Sequence, residues 1–299
     1  MRERFNEAIY SISPGFRMDA ASFRVAVLAL NSSHEDAARN CSRIAAQLAR
    51  AAREDVQLAV FPQSSISAPD DEARAEPFDG PSIDAIAAAV DETGVAAGVG
   101  WIERTEDGRL FDSYAICFPG GMRVRHRKLH AAQRRLHGGD RFTVLDAPFG
   151  IRIGILIGED NDVVENVRMT ALMGATLLIA PMRGDRSHRA TLAARAADNG
   201  MYIAYSHTAR EESMIVGPDG RVLACRASAQ DGLIVADVNP SLAEASIGRQ
   251  ALAARRPDLY APLARRGNAY PLTPEPERAR PRGSLPLSFA VIGRHRAMR

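Results

Sequence analysis

An excess of charge of either sign is missing from this chain. Over 299 residues the formal net charge is +2, which provides no long-range field to draw nucleic acid or an anionic membrane surface. Cysteine is scarce: Cys41, Cys117 and Cys225 are odd in number and widely spaced, so neither a disulfide framework nor a CxxC metal site is indicated. Reduced and mostly buried thiols are the expectation. No run of 18 apolar residues occurs, and Met1 to Ala20 mixes charges with its apolar residues instead of forming a continuous leader core. These absences predict a cytoplasmic protein that neither crosses a membrane nor binds nucleic acid. No GxxxxGK[ST] run is present, and no GxGxxG follows a strand into a helix, so nucleotide binding has no support. His126 and His130 are four apart but flank a strand-to-loop segment, so they lack the shared helical face of a two-histidine metal pair. No metal and no cofactor is expected.

At 46% hydrophobic and 25% charged residues, the chain can bury a large core in one domain. Residues 1–21 carry no clear period and contain Pro14 and Gly15, and read as an N-terminal extension. Residues 22–263 form the domain. Residues 264–299 turn to proline and arginine, with eight arginines against Glu275 and Glu277, and read as a basic tail.

Within the domain, strands and helices alternate. Phe23 to Leu30 is a buried-type strand, Ser32 or Ser33 offers a helix cap, and Ala37 to Arg53 is an alanine-rich helix followed by a strand at Gln57 to Phe61. Ser82 to Thr93 repeats the helical pattern before Gly94. A meander follows, with strands at Val95–Arg104, Leu110–Phe118 and Met122–Arg127 separated by turns at Glu106-Asp107-Gly108 and Pro119-Gly120-Gly121. Hairpins placed among β-α units predict mixed sheets in a layered α/β domain. Later segments give a strand at Thr176–Ala180, a helix at Leu192–Asn199, and strands at Tyr202–Tyr205, Ser213–Val216, Val222–Ala224 and Gly232–Val238.

The stretch that organises the rest runs from Gly150 to Gly174. Ile151 to Ile157 is almost wholly apolar and β-branched, as a strand buried on both faces would be. It stops at Gly158. From Asp162, a candidate cap, the period changes: Val163, Val164, Val167, Ala171 and Leu172 are placed on one helical face, and Gly174 closes the helix. Strand, sharp turn and helix make an elbow that lifts the turn residue to the mouth of a sheet.

This elbow resembles the nucleophile segment of the nitrilase, or carbon-nitrogen hydrolase, superfamily: an apolar strand, Cys, any residue, Asp, then a helix with Glu, Arg and a closing Gly-Ala. Gly158, Glu159, Asp160, Glu165, Arg168, Ala171, Gly174 and Ala175 keep that spacing, with glycine where the family has its cysteine. Phe61-Pro62-Gln63 resembles the family's Phe-Pro-Glu, with glutamine at the base position. Arg127-Lys128-Leu129-His130 resembles Arg-Lys-x-His and puts Lys128 at the catalytic lysine position. The loop between Lys128 and Asp140, where the family usually carries a further glutamate, has no acid. Pro181-Met182-Arg183, the SMIVGPDG run and Arg255 to Tyr260 extend the likeness over about residues 22 to 263.

The resemblance implies a four-layer α-β-β-α sandwich, a homodimer or higher oligomer, and a pocket around Lys128, Gln63, Gly158 and Glu159. Asp160, Met182, Arg183 and His130 are placed beside it. The family's reaction needs a carboxylate to take the thiol proton, a thiolate to attack carbon and an ammonium to stabilise the developing charge. Glycine cannot attack, and glutamine cannot accept the proton. Two functions are open. One is a non-catalytic homologue that binds a small amide-, nitrile- or carboxylate-type ligand or serves as a partner; the other is a carbon-nitrogen hydrolase with altered, non-cysteine chemistry that uses Lys128 and Glu159.

Overall fold

The computed structural model describes residues 9–10, 23–31, 36–68, 72–131, 133–184, 189–208, 211–227 and 231–264. In chain order these give β1 (Ile9–Tyr10), β2 (Phe23–Ala29), α1 (Ala37–Ala52), β3 (Leu58–Val60), α2 (Pro81–Thr93), β4 (Ala96–Arg104), β5 (Leu110–Cys117), β6 (Arg123–Arg127) and β7 (Thr143–Asp146). They continue as β8 (Arg152–Ile155), α3 (Val164–Leu172), β9 (Leu177–Pro181), α4 (Arg189–Asn199), β10 (Tyr202–Ser206), β11 (Glu212–Val216), β12 (Val222–Ala227), β13 (Gly232–Val238), α5 (Pro240–Glu244) and α6 (Ile247–Ala253). Chain contacts divide the molecule into residues 1–255 and 256–299. Within the second unit, Pro257–Leu259 and Ala261–Ala264 form 3₁₀ turns, and the rest of the basic tail lies outside the described residues.

Two mixed sheets carry the first unit. One has the order β1-β7-β8-β9-β10-β11-β12 and the other β13-β2-β3-β4-β5-β6. Each inner strand is covered on both faces, which is why these strands read as unbroken apolar runs. Period-2 alternation then sends successive residues to different cores. Val25, Val27, Leu58, Val60, Ile153, Ile155, Leu177 and Ile179 meet between the sheets. Ala26, Leu28, Ala59, Val99 and Trp101 face Ile44 and Leu48 of α1 and Ile83, Ile86 and Val90 of α2. Leu156, Leu178, Ala180, Ile203 and Tyr205 face Val167 and Ala171 of α3 and Leu192 and Ala196 of α4. Helix, sheet, sheet and helix are thus stacked as the predicted four-layer sandwich.

Local chemistry differs from the sequence expectation in several places. Asp36, not Ser32 or Ser33, caps α1, its carboxylate accepting from the Arg39 N–H at 2.8 Å; the two serines lie outside the described residues. Asp162 does not cap α3: Gly158–Asp162 form a 3₁₀ turn and the helix starts at Val164. The apolar face of α3 also splits, with Val167 and Ala171 buried while Val164 and Leu172 are 41% and 38% exposed. Cys41 and Cys117 are buried, but Cys225 is exposed, because β12 is the outer strand of its sheet. Strands β1 and β7 and helices α5 and α6 have no counterpart in the sequence reading.

Candidate functional site

The elbow sits where β8 ends beside β9. Leu156 N–H donates to Ile179 O at 3.1 Å, and Asn161 Nδ2 donates to Leu156 O and Gly158 O, both at 2.9 Å, folding the chain sharply over the strand end. Gly158 takes φ +57°, a left-handed conformation that glycine adopts without steric cost. Asp160 is fully buried beneath this turn. Its carboxylate accepts from the N–H of Leu129 at 2.8 Å, the N–H of His130 at 2.9 Å and His130 Nδ1 at 2.9 Å, so the elbow is tied to the segment that carries Lys128. Burial pushes the Asp160 carboxyl up, against the pull of those donors.

Gln63 arrives from the end of β3. Gly100 of β4 makes its approach possible: a Cβ there would lie 2.5 Å from Gln63 C and 2.6 Å from Gln63 O. Ser65 Oγ accepts from Gly100 N–H at 2.9 Å, pinning the same loop across β4. Gln63 thereby reaches β5, where its Nε2 donates to Asp112 Oδ2 at 2.6 Å. Lys128 follows β6, and its own N–H donates to Asp112 O at 2.8 Å.

The side chains converge on the glycine. A Cβ built on Gly158 would lie 2.7 Å from Gln63 Oε1 and 3.0 Å from Lys128 Nζ. The Lys128 ammonium is buried and donates to Glu159, whose side chain is half exposed. Burial alone would raise the Glu159 carboxyl, but the hydrogen bond and charge of Lys128 outweigh it and hold it below the ordinary carboxylate range. Asp112 behaves oppositely: burial pushes it up to about 6, although Lys128 and Gln63 both pull downward. Gln63 Oε1 is buried with no donor among the described residues.

Gln63, Asp112, Lys128, Glu159 and Arg183, with His137 and the loop at Ala131, Gln133 and Leu136, line a cleft of about 40 Å³. Of the sequence-predicted residues, Lys128, Gln63, Gly158, Glu159 and Arg183 are thus brought together. Met182 is not: its buried side chain packs in the outer core with Leu178 and Tyr205. His130 and Asp160 support the Lys128 segment from outside the lining. The loop after Lys128 does lack an acid, and Asp112 supplies one from β5. Sequence reading missed Asp112 because a polar residue between Phe111 and Ser113 looks like an ordinary strand position. No group of three or more His, Cys, Asp or Glu among the described residues could hold a metal ion.

Comparison with known proteins decides the family: the carbon-nitrogen hydrolase family model matches residues 24–247. The chain belongs to the carbon-nitrogen hydrolase family. Among its relatives in this family, the "hydrolase in pqqF 5′ region" of Pseudomonas protegens is 32% identical over 213 residues, 65% of this chain and 74% of that one. The bovine (Bos taurus) omega-amidase NIT2 is 27% identical over 274 residues, 80% of this chain and 97% of its own. Nit3 of Saccharomyces cerevisiae, a nitrilase-superfamily structure, shares the fold with a TM-score of 0.72 at 22% identity, covering 80% of this chain and 97% of that one. A nitrilase-superfamily amidase from Nesterenkonia gives a TM-score of 0.71 at 21% identity, covering 83% of this chain and 100% of its own. A glutamate-to-glutamine variant of that amidase has been solved with acrylamide added at its active-site cysteine.

Proposed function

We propose that this carbon-nitrogen hydrolase homologue does not run thiol-dependent amide hydrolysis and instead binds a small amide-, nitrile- or carboxylate-type ligand in its polar cleft. The observation that carries this reading is the convergence of Lys128 and Gln63 on a residue without a side chain. The Nesterenkonia amidase takes up acrylamide at its active-site cysteine; in this reading Gly158 stands at the nucleophile position and Gln63 at the base position. No other thiol can serve. Cys41 is on α1, Cys117 on β5 faces the helical side of its sheet, and Cys225 is on the outer strand β12. Removing the nucleophile of a hydrolase typically costs on the order of 10⁶ in rate.

The cleft itself favours binding of something small. About 40 Å³ admits a water or a small polar group, and Lys128, Arg183 and Gln63 Oε1 offer hydrogen bonds of both polarities. Residues 22–263 form the ligand-binding domain in this reading, and the protein works in the cytoplasm as a homodimer or higher oligomer. The exposed Val164 and Leu172 of α3 supply apolar surface for pairing, to be checked by light scattering at micromolar concentration. No helix among the described residues is long and apolar enough to cross a membrane.

Thermal-shift measurement with acetamide, acetonitrile and acetate tests the ligand reading, because binding to the native state raises the melting temperature by mass action. A saturable rise with at least one of the three, lost in Lys128→Ala, supports it. Flat curves with all three up to high concentration reject it.

A further inference from the structure

We propose that Asp112 supplies the working carboxylate of this cleft, with Gln63 as its amide partner, so that the site keeps an acid and a lysine and lacks only a nucleophile. This rests on the reading that Gly158 stands at the nucleophile position. The geometry points away from position 63. A glutamine there can only donate and accept hydrogen bonds, and its Nε2 is committed to Asp112 Oδ2 at 2.6 Å. The pair is one carboxylate and one amide, with the acid on β5 instead of at the end of β3.

Burying a carboxylate is costly when a neutral side chain would serve the same packing. Asp112 is nonetheless buried, in the wall of the cleft that also contains Lys128. Around it stand Lys128 on the segment after β6, Arg183 after β9, Glu159 and Asp160 on the elbow, and His137 on the loop. Asp160 is consumed by backbone and His130 donors, and Glu159 is held as an anion by Lys128. Asp112 accepts from the neutral Gln63 amide and is therefore the acid best placed to exchange a proton, and burial pushes it up to about 6, where such exchange is useful near neutrality.

Two consequences follow for engineered variants. Gln63→Glu would set a second carboxylate against Asp112 at hydrogen-bond distance, and the two could not both ionise cheaply. Gly158→Cys would need no change at position 63. Its S–H proton passes to Asp112 through a water in the cleft, the sulfur attacks the carbonyl carbon of p-nitrophenyl acetate, and p-nitrophenol leaves with that proton. Water then cleaves the thioester to acetate and free thiol.

The test uses the full chain with Cys225→Ser, so that no native thiol is exposed, and compares Gly158→Cys with and without Asp112→Asn. Iodoacetamide labelling first establishes that the new thiol is present and reachable in both. The Gly158→Cys variant should then release p-nitrophenol with an acid limb near pH 6, and Asp112→Asn should lower kcat/KM by about a hundredfold and remove that limb. Adding Gln63→Glu should depress the rate, and the exchanged pair Gln63→Glu/Asp112→Asn should recover it. A labelled variant whose cleavage is indifferent to Asp112→Asn, is raised by Gln63→Glu alone, or is absent altogether overturns the proposal. Hydrolysis by the native protein would instead overturn the non-catalytic reading. Should Gly158→Cys fail to fold, the acid pair is measured without it. Gln63→Glu should lose stability relative to the native chain as pH rises from 5 to 8, and Asp112→Asn should abolish that loss; identical pH profiles for all three refute the pairing.

Discussion

Gly100→Ala is the substitution by which the frame holding Gln63 is most simply tested. The added methyl would meet three backbone atoms of Gln63, C at 2.5 Å, O at 2.6 Å and Cα at 3.0 Å, none of which can rotate away as a side-chain end could. Relief requires the Gln63 loop to lift from β4, and that loop is held by Ile66 N–H to Gly100 O and Gly100 N–H to Ser65 Oγ, both at 2.9 Å. Overpacking a close-packed interior costs typically 1 to 3 kcal/mol, and the rigidity of the contact puts this case near the upper end, about 3 kcal/mol. For a domain of this size that corresponds to a fall in melting temperature of roughly 6 to 12 °C. Circular-dichroism melts of native and variant protein measure it, and two-state behaviour in urea gives the free energy directly. Because Gln63 would be displaced from Asp112, ligand-induced thermal shifts should also disappear. A change below about 1 °C with ligand response intact would mean that β4 does not fix the loop, and the account of how Gln63 is positioned would fail.

Glu103 gives a prediction with a pH signature. It is buried and accepts from Arg125 Nη1, Arg127 Nε and Nη2, and Ser113 Oγ at 2.6 to 2.9 Å. Burial would raise its carboxyl, but the Arg127 and Ser113 hydrogen bonds and the two arginine charges hold it below the ordinary range. A depressed folded value means that this stabilisation is complete above the unfolded pKa and is lost as pH falls through the folded one. Glu103→Gln should therefore cost about 2 kcal/mol at pH 7, discounted for the partly exposed arginines, with the gap to the native protein narrowing below pH 4. An unchanged gap across that range would rule out the ion pair as the cause. Iodoacetamide should label the native protein at Cys225 alone, since burial pushes the Cys41 thiol up and Cys117 to about 11. Labelling of Cys41 or Cys117 before unfolding would contradict their burial.

Much of this fold was legible in the sequence because its signals are local. Strands covered on both faces, such as Phe23–Ala29 and Leu177–Pro181, leave apolar runs, and α2 announces itself through its period and Gly94, which closes it with φ +70°. Strand β7 is four residues long and α5 five, too short for periodicity to register. Helix α6 turns Ile247 to solvent at 83% exposure, so its apolar residues mark no inward stripe. The cap at Asp36 and the missing one at Asp162 depend on which carboxylate the folded turn can use. At the site, motif spacing located Lys128, Gly158 and Glu159, but Asp112 meets Gln63 across 49 residues of sequence, and only strand order β3-β4-β5 brings them together. The motif puts Met182 in the pocket wall beside Arg183, but alternation at the end of β9 sends Arg183 to the cleft and Met182 to the outer core.

The central claim, that Gly158 leaves the native protein without thiol-dependent hydrolysis, is tested most directly by ammonia release. Purified native protein is incubated with small primary amides over pH 5 to 9, before and after exhaustive iodoacetamide treatment. The account predicts release no faster than in buffer under both conditions. Turnover that iodoacetamide abolishes would mean that one of the three cysteines serves as the nucleophile, and would contradict it.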